Sequence, residues 1–273
     1  MDPVLVVGIR GGVGAAVAEQ LIQQGHTVVG SVRSQDQVAA ATAKLPGIAA
    51  VMSFDMADPE RTRQVLASRF DNAKLDGVIV CAAVSDYGPL ETSSLVDFKR
   101  IMDVNATSCL AIYQACVPAL RRALGRLVLV SSYSGRLSFP FHGVYQASKF
   151  ALEALADVMR LEAAEFGVKV VVVEPGGIDT EMSRAMRRSI DSDIAALSAE
   201  DSERYGYLYR KFREQLRGAT KLPTGADVAG HVVSAFAATD PEPRYVIGDD
   251  AQFLIAQRKV LSDREFDQLV KSL

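Results

Sequence analysis

Tyr145 and Lys149 stand four residues apart in the stretch VLVSSYSGRLSFPFHGVYQASK, which runs from Val128 to Lys149. On a helix that spacing puts an ammonium on the same face as a phenol. A free phenol, with a pKa of about 10, is a poor acid or base near neutrality. A neighbouring positive charge favours the phenolate, and general acid–base catalysis works best when the pKa approaches the working pH. Ser132 lies thirteen residues before Tyr145, at the end of the preceding apolar run. A hydroxyl, a phenol and an ammonium in this order suit proton transfer to or from a substrate oxygen.

A second group of residues suits a phosphate. The run VLVVG (4–8) ends in Gly8, and Gly11, Gly12 and Gly14 follow before a helical pattern begins. Gly8 permits a tight turn, Gly12 lets backbone approach a pyrophosphate, and Gly14 allows a helix to pack closely on a sheet. The pyrophosphate then meets the free N–H groups and positive dipole end of that helix. Ile9, Arg10 and Val13 complete the turn, which reads GIRGGVG. At the end of the second strand, where an acid usually holds the ribose hydroxyls of NAD, the chain has Arg33. An arginine fork suits a phosphate better than a pair of hydroxyls. Arg33, helped by Arg10, therefore points to the 2′-phosphate of NADP(H). Asp55, after the third strand, offers a carboxylate to the adenine amino group.

Both groups need a scaffold that brings strand ends together. Seven short β-branched runs supply it: 4–8, 27–32, 48–54, 77–81, 126–131, 169–174 and 244–248. Most are continuously apolar, as expected of strands buried on both faces of a parallel sheet. Amphipathic stretches near 12–24, 58–70, 94–122, 144–167 and 225–237 lie between them. The alternation predicts a single doubly wound α/β domain over 1–273, Rossmann-type, with a seven-stranded, mostly parallel sheet. From 181 to 221 no strand-like run occurs. This charged segment carries Met182, Met186, Ile190, Ile194, Tyr205, Tyr207, Tyr209 and Phe212 and reads as a helical substrate lid.

The 273 residues are 49% hydrophobic and 23% charged, with a net charge of −3. That composition suits a folded core and gives no basic footprint for nucleic acid. No apolar run is long enough to span a bilayer, and the N-terminus shows no basic leader. Cys81, Cys109 and Cys116 sit in apolar stretches without metal-ligand spacing, which fits reduced thiols in a cytoplasmic protein. The three histidines are too scattered for a metal cluster.

GIRGGVG (8–14), DM (55–56), VNA (104–106), SS (131–132), YQASK (145–149) and EPGGIDT (174–180), in this order, resemble the short-chain dehydrogenase/reductase family over nearly the whole chain. YQASKFALEALADVMRLE (145–162) and the tail from Arg244 to Val270 resemble its hydroxysteroid and retinol dehydrogenase-like branch. The resemblance implies that Tyr145 exchanges the proton, that Lys149 favours the phenolate and holds the nicotinamide ribose, and that Ser132 holds the substrate oxygen. It implies that Asn105 holds a water in a proton relay. Pro175, Gly176, Ile178 and Thr180 would border the nicotinamide, with Met56, Cys81, Ala82 and Ala83 near the adenosine. The chain departs from the family in Val7, where a threonine is usual, and in Val80-Cys81-Ala82-Ala83, where Asn-Asn-Ala-Gly is usual. The small Ala82 and Ala83 still let backbone approach the ribose. A homodimer or homotetramer is implied as well.

The expected activity is interconversion of an alcohol and a carbonyl on a bulky, largely apolar small molecule, lined by LSFPFHGV (137–144), with His142 near a distal polar group. A nucleotide-binding sensor or scaffold without turnover is the alternative, although such a protein commonly loses the tyrosine or the lysine. An epimerase or dehydratase would need a larger substrate region after residue 181.

Overall fold

The computed structural model describes residues 1–219 and 221–273; Thr220, within the segment expected as a lid, lies outside the described residues. The chain begins with β1 (Val4–Val7), α1 (Gly12–Gln23), β2 (Val28–Val32), α2 (Val38–Lys44), β3 (Ala50–Ser53) and α3 (Pro59–Phe70). Next come β4 (Gly77–Val80), α4 (Leu95–Met102), α5 (Ser108–Ala123), β5 (Arg126–Val130), α6 (Gly143–Ala164) and β6 (Lys169–Pro175). The last part holds α7 (Glu181–Ala195), α8 (Ala199–Gly218), α9 (Gly225–Ala237), β7 (Arg244–Ile247), α10 (Asp249–Val260) and α11 (Asp263–Ser272).

The strands form one sheet in the order β3-β2-β1-β4-β5-β6-β7. Every neighbouring pair is parallel, so the expected sheet is parallel throughout. The register pairs Val7 with Val80 and Val130 with Val173. β1, β2 and β4 are buried at every residue, because helices cover both faces. One face carries Leu5, Val78, Leu127 and Val172 against Leu66, Ile112 and Leu152. The other carries Val6, Ile79, Val128 and Val171 against Val17, Val228 and Val232. The strand order reverses between β1 and β4, and the carboxyl ends there open into a cleft, the usual ligand position in such sheets.

The helical stretch expected near 94–122 is broken by a π-helical turn, Asp103–Thr107. The region 181–221 holds α7 and α8, whose own small core joins Ile190 and Phe212 to Phe141. Three helices were not expected from the alternation of strands and helices: α2 is short, α10 has little one-sided apolar pattern, and α11 has a marked one. In α11 only Phe266 is buried, packing with Leu137 and Ile255.

Candidate active site

At the β1–α1 corner Gly8 has φ +92°, and a Cβ there would come 2.7 Å from that of Ala82. A Cβ on Gly14 would lie 2.3 Å from the Gly8 carbonyl oxygen, so helix and turn touch directly. A Cβ on Gly12, by contrast, would meet nothing within 4 Å among the described residues. No side chain among them caps the N-terminus of α1. The corner therefore presents open space above uncapped helix N–H groups, which is the cradle a pyrophosphate requires. Val13 and Gly14 line the same cleft, whereas the Ile9 side chain packs into the core against Gly30.

Arg10 and Arg33 are exposed, line this end of the cleft, and take part in no ion pair among the described residues. Asp55 lines the wall too, but its Oδ1 accepts the Ala57 N–H at 2.9 Å, leaving Oδ2 for a ligand. Met56 is fixed through its carbonyl, which accepts from Ser108 Oγ at 2.6 Å. Cys81, Ala82 and Ala83 form the β4 side of the cleft. Burial pushes the Cys81 thiol up to about 12, with Lys149 opposing the shift, so it is not a nucleophile.

The cleft, about 1190 Å³, exceeds the roughly 300–1,000 Å³ of a typical small-ligand site. Its other end carries Ser132, Tyr145 and Lys149. Ser132 follows β5; its Oγ accepts from the Ser134 N–H at 3.1 Å and donates to the Pro175 carbonyl at 3.4 Å. Tyr145 and Lys149 sit in the first two turns of α6. Lys149 is 1% exposed. Its Nζ donates to the Val130 carbonyl at 3.0 Å and lies 5.7 Å from the Tyr145 ring centroid.

Asn105 is fully buried on the π-helical turn and stands behind the cleft wall rather than in it. Its Oδ1 accepts from Val84 N at 2.9 Å; its Nδ2 donates to Val84 O at 2.8 Å and to Ser148 Oγ at 3.0 Å. It thus ties the β4 loop to α6, one residue from Lys149. Pro175, Gly176, Ile178 and Thr180 line the cleft beyond β6, and Thr180 also caps α7.

Around Tyr145 the wall is aromatic. The His142 ring centroid is 6.5 Å from that of Tyr145 and 5.1 Å from that of Phe212. Burial pushes His142 down to about 4, so its imidazole is neutral near pH 7, and its Nδ1 has no partner among the described residues. The sequence pattern did not single out Tyr133, Asp250, Leu254 and Val270, which complete this end. The last three come from the two C-terminal helices, whose docking place the alternation of strands and helices does not specify.

A doubly wound sheet with a glycine corner at its switch point defines a Rossmann-type nucleotide-binding protein. Residues 2–191 match the family model for short chain dehydrogenase, and the chain belongs to that family. It is an oxidoreductase acting on the CH–OH/C=O pair. It is 26% identical over 275 residues to the NADPH-dependent 3-dehydrocapnine reductase of Ornithobacterium rhinotracheale, covering 97% of this chain and 94% of that one. It is 30% identical to retinol dehydrogenase 16 of Rattus norvegicus, over 92% of this chain and 81% of the relative. Among solved structures, a short-chain dehydrogenase from Streptomyces avermitilis superposes with a TM-score of 0.77 at 24% identity, covering 99% of this chain and 95% of that one.

Proposed function

We propose that this chain is an NADP(H)-dependent oxidoreductase that interconverts a secondary alcohol and a ketone, or a primary alcohol and an aldehyde, on a bulky, largely apolar substrate. The observation that carries the reading is one cleft holding Ser132, Tyr145 and buried Lys149 at one end and Arg10 and Arg33 at the other. NADPH, when bound, supplies the hydride. Arg33 and Arg10 bind its 2′-phosphate, the α1 N-terminus its pyrophosphate, and Asp55 its adenine amino group. Pro175, Gly176, Ile178 and Thr180 border its nicotinamide. A relative named as NADPH-dependent supports the choice of cofactor.

In the direction of reduction, Tyr145 donates its phenolic proton to the carbonyl oxygen. Ser132 donates a hydrogen bond to the same oxygen, polarising it and fixing its distance from Tyr145. The Lys149 ammonium stabilises the phenolate left behind. Asn105, through Ser148 and the backbone at Val84, holds the relay by which that proton is replaced. Oxidation runs the same proton path backwards.

The aromatic wall and Met182 and Met186 favour an apolar substrate, in keeping with relatives named as retinol dehydrogenases. Residues 181–221 act as its lid on a single domain of 273 residues. The three free cysteines suit a reducing, cytoplasmic setting, and no described helix is long and apolar enough to cross a membrane. A homodimer or homotetramer fits the exposed apolar residues of α4 and α6. A sensor without turnover could use Lys149 to hold the nucleotide but has no use for Tyr145 and Ser132 beside it.

Tyr145→Phe tests the reading. It removes one oxygen and leaves the ring to pack. Turnover of a ketone found by panel screening should fall by about 10²–10⁴-fold, while NADPH binding, followed by fluorescence, stays near wild type. Lys149→Ala should damage both. A Tyr145→Phe protein that binds NADPH and reduces the ketone at the wild-type rate would show that another group supplies the proton.

A further inference from the structure

Behind Ser132, between α6, the carboxyl ends of β5 and β6 and the first residue of β7, two buried carboxylates meet half-buried arginines. The Glu174 side chain is 0% exposed and that of Glu153 is 7% exposed. Arg244 Nε donates to Glu153 Oε2 at 3.1 Å and also lies 3.1 Å from Glu174 Oε1. Arg136 donates to Glu174 Oε1 at 2.9 Å. Asp157, the next turn of α6, takes the other side of the Arg244 fork at 2.9 Å. Arg160, on the same helix, holds the other oxygen of Asp157 at 3.0 Å, so three acids share three guanidinium groups. The Lys149 ammonium lies one turn back from Glu153 and is bonded to the Val130 carbonyl.

The hydrogen bonds of this cluster do not close as drawn. Glu153 Oε1, Glu174 Oε2 and Ser131 Oγ are all buried and lack a partner among the described residues. Ionised carboxylates only accept, and the Ser131 hydroxyl has a single proton to give. Two orphan acceptors and one donor leave the cluster one proton short. Orphan buried polar groups are costly, so a proton on Glu153 is the economical completion.

The cluster is also coupled to the catalytic residues by covalent neighbours. Tyr145, Lys149 and Glu153 recur every four residues on one face of α6. Ser131 precedes Ser132, and Glu174 precedes Pro175, whose carbonyl accepts from Ser132 Oγ. There is no slack, since a Cβ on Gly135 would lie 2.8 Å from Glu153 Cγ and 3.1 Å from Ser131 Oγ.

We propose that Glu153 is a positioning residue: it holds a proton beside Glu174, and this pair of side chains, clamped by Arg136 and Arg244, sets the place of Ser132 and of the turn after β6. The role for Ser132 rests on the function proposed above. Burial first, and then the neighbouring Glu174 charge, hold the Glu153 carboxyl above the ordinary carboxylate range, against the pull of the nearby Ser131 hydroxyl and then of Arg244. The folded chain therefore binds a proton that the unfolded chain has lost. Stability should fall as pH rises from the ordinary carboxylate value through the raised one, and then level off.

The test compares wild type with Glu153→Gln, which keeps the shape of the neutral carboxyl and cannot titrate, and with Glu153→Ala. Melting temperature is followed from about pH 5 to about pH 9, NADPH affinity by fluorescence, and turnover on the ketone used for Tyr145→Phe. Glu153→Gln should lose the pH-dependent decline and keep wild-type cofactor affinity and turnover. Glu153→Ala should lose turnover, approaching the roughly 10²-fold cost of a misplaced catalytic group, with a smaller change in KM. Superimposable wild-type and Glu153→Gln melting profiles would overturn the proton on Glu153, whatever the chemistry of the cleft. Diverging profiles with a Glu153→Gln turnover well below wild type would overturn the positioning role. An active Tyr145→Phe would instead count against the functional reading and leave the melting comparison to decide the proton. If Glu153→Ala does not fold, the Glu153→Gln comparison still decides both points.

Discussion

Arg33 directly follows β2, exposed and at the adenosine end of the cleft. A hydrogen bond to a charged group contributes about 1.5–3 kcal/mol, so Arg33→Ala should weaken NADPH by roughly 10- to 100-fold. NADH, which lacks the 2′-phosphate, should lose little; equal losses for the two cofactors in parallel titrations would remove Arg33 from the phosphate site. This residue was readable because a guanidinium where an acid is usual has a direct chemical meaning. Ser132, Tyr145 and Lys149 were readable for the same reason: few other uses exist for that trio at the end of a strand and the start of a helix. Glu153 and Glu174 were not. A glutamate in a helical pattern reads as solvated, and one at the end of KVVVVE reads as the strand's exit from the core. Only the fold shows that Arg136 and Arg244, distant in the chain, arrive to cover them. The Ile9 side chain belongs to the core while its neighbours line the cleft, which leaves its backbone for the nucleotide corner.

At the scale of elements, α7 and α8 differ from the helices that cover the sheet. Ile190 is the only buried residue of α7, and α8 buries Gly206 and Phe212, whereas α5 buries a full face from Ser108 to Leu120. Their ion pairs, such as Arg184–Asp179 and Arg217–Asp191, are half-exposed, and such pairs contribute about 0–1 kcal/mol each. Few buried contacts mean low local stability. Without substrate, amides of α7 and α8 should therefore exchange faster than those of β1, β4, β5 and α5, and ligand should slow them. Protection equal to that of the sheet in the free protein would make the segment a fixed structural part and not a lid. The strands were legible because burial on both faces forces continuous apolar runs. α10 was harder, since its apolar residues do not gather on one face. α11 is short but markedly one-sided; that face and the Ser262–Glu265 capping box were the available signals, and neither says where the helix docks.

The whole molecule leaves one apolar stripe uncovered. Ala147, Phe150, Ala154, Val158 and Leu161 are exposed on α6, and at 3.6 residues per turn they fall within an arc of about 80°. Buried Leu152, Ala156 and Met159 take the face toward the sheet. The stripe is thus the outer side of the helix whose inner side carries Lys149 and Glu153. Stable interfaces bury roughly 1,200–2,000 Å², more than one helix stripe supplies, so exposed Leu95 and Val96 on neighbouring α4 have to contribute. A two-fold axis would let each stripe cover its own copy in the partner, which is how most homo-oligomers close. Sedimentation at micromolar concentration should therefore give a dimer or tetramer. Val158→Arg, which puts a charge in the stripe, should shift the population toward monomer and leave NADPH affinity nearly unchanged, because Val158 is exposed on the outer side of α6, nine residues past Lys149, and does not line the cleft. A wild-type monomer, or a Val158→Arg assembly indistinguishable from wild type, would mean that this face is not the contact between copies.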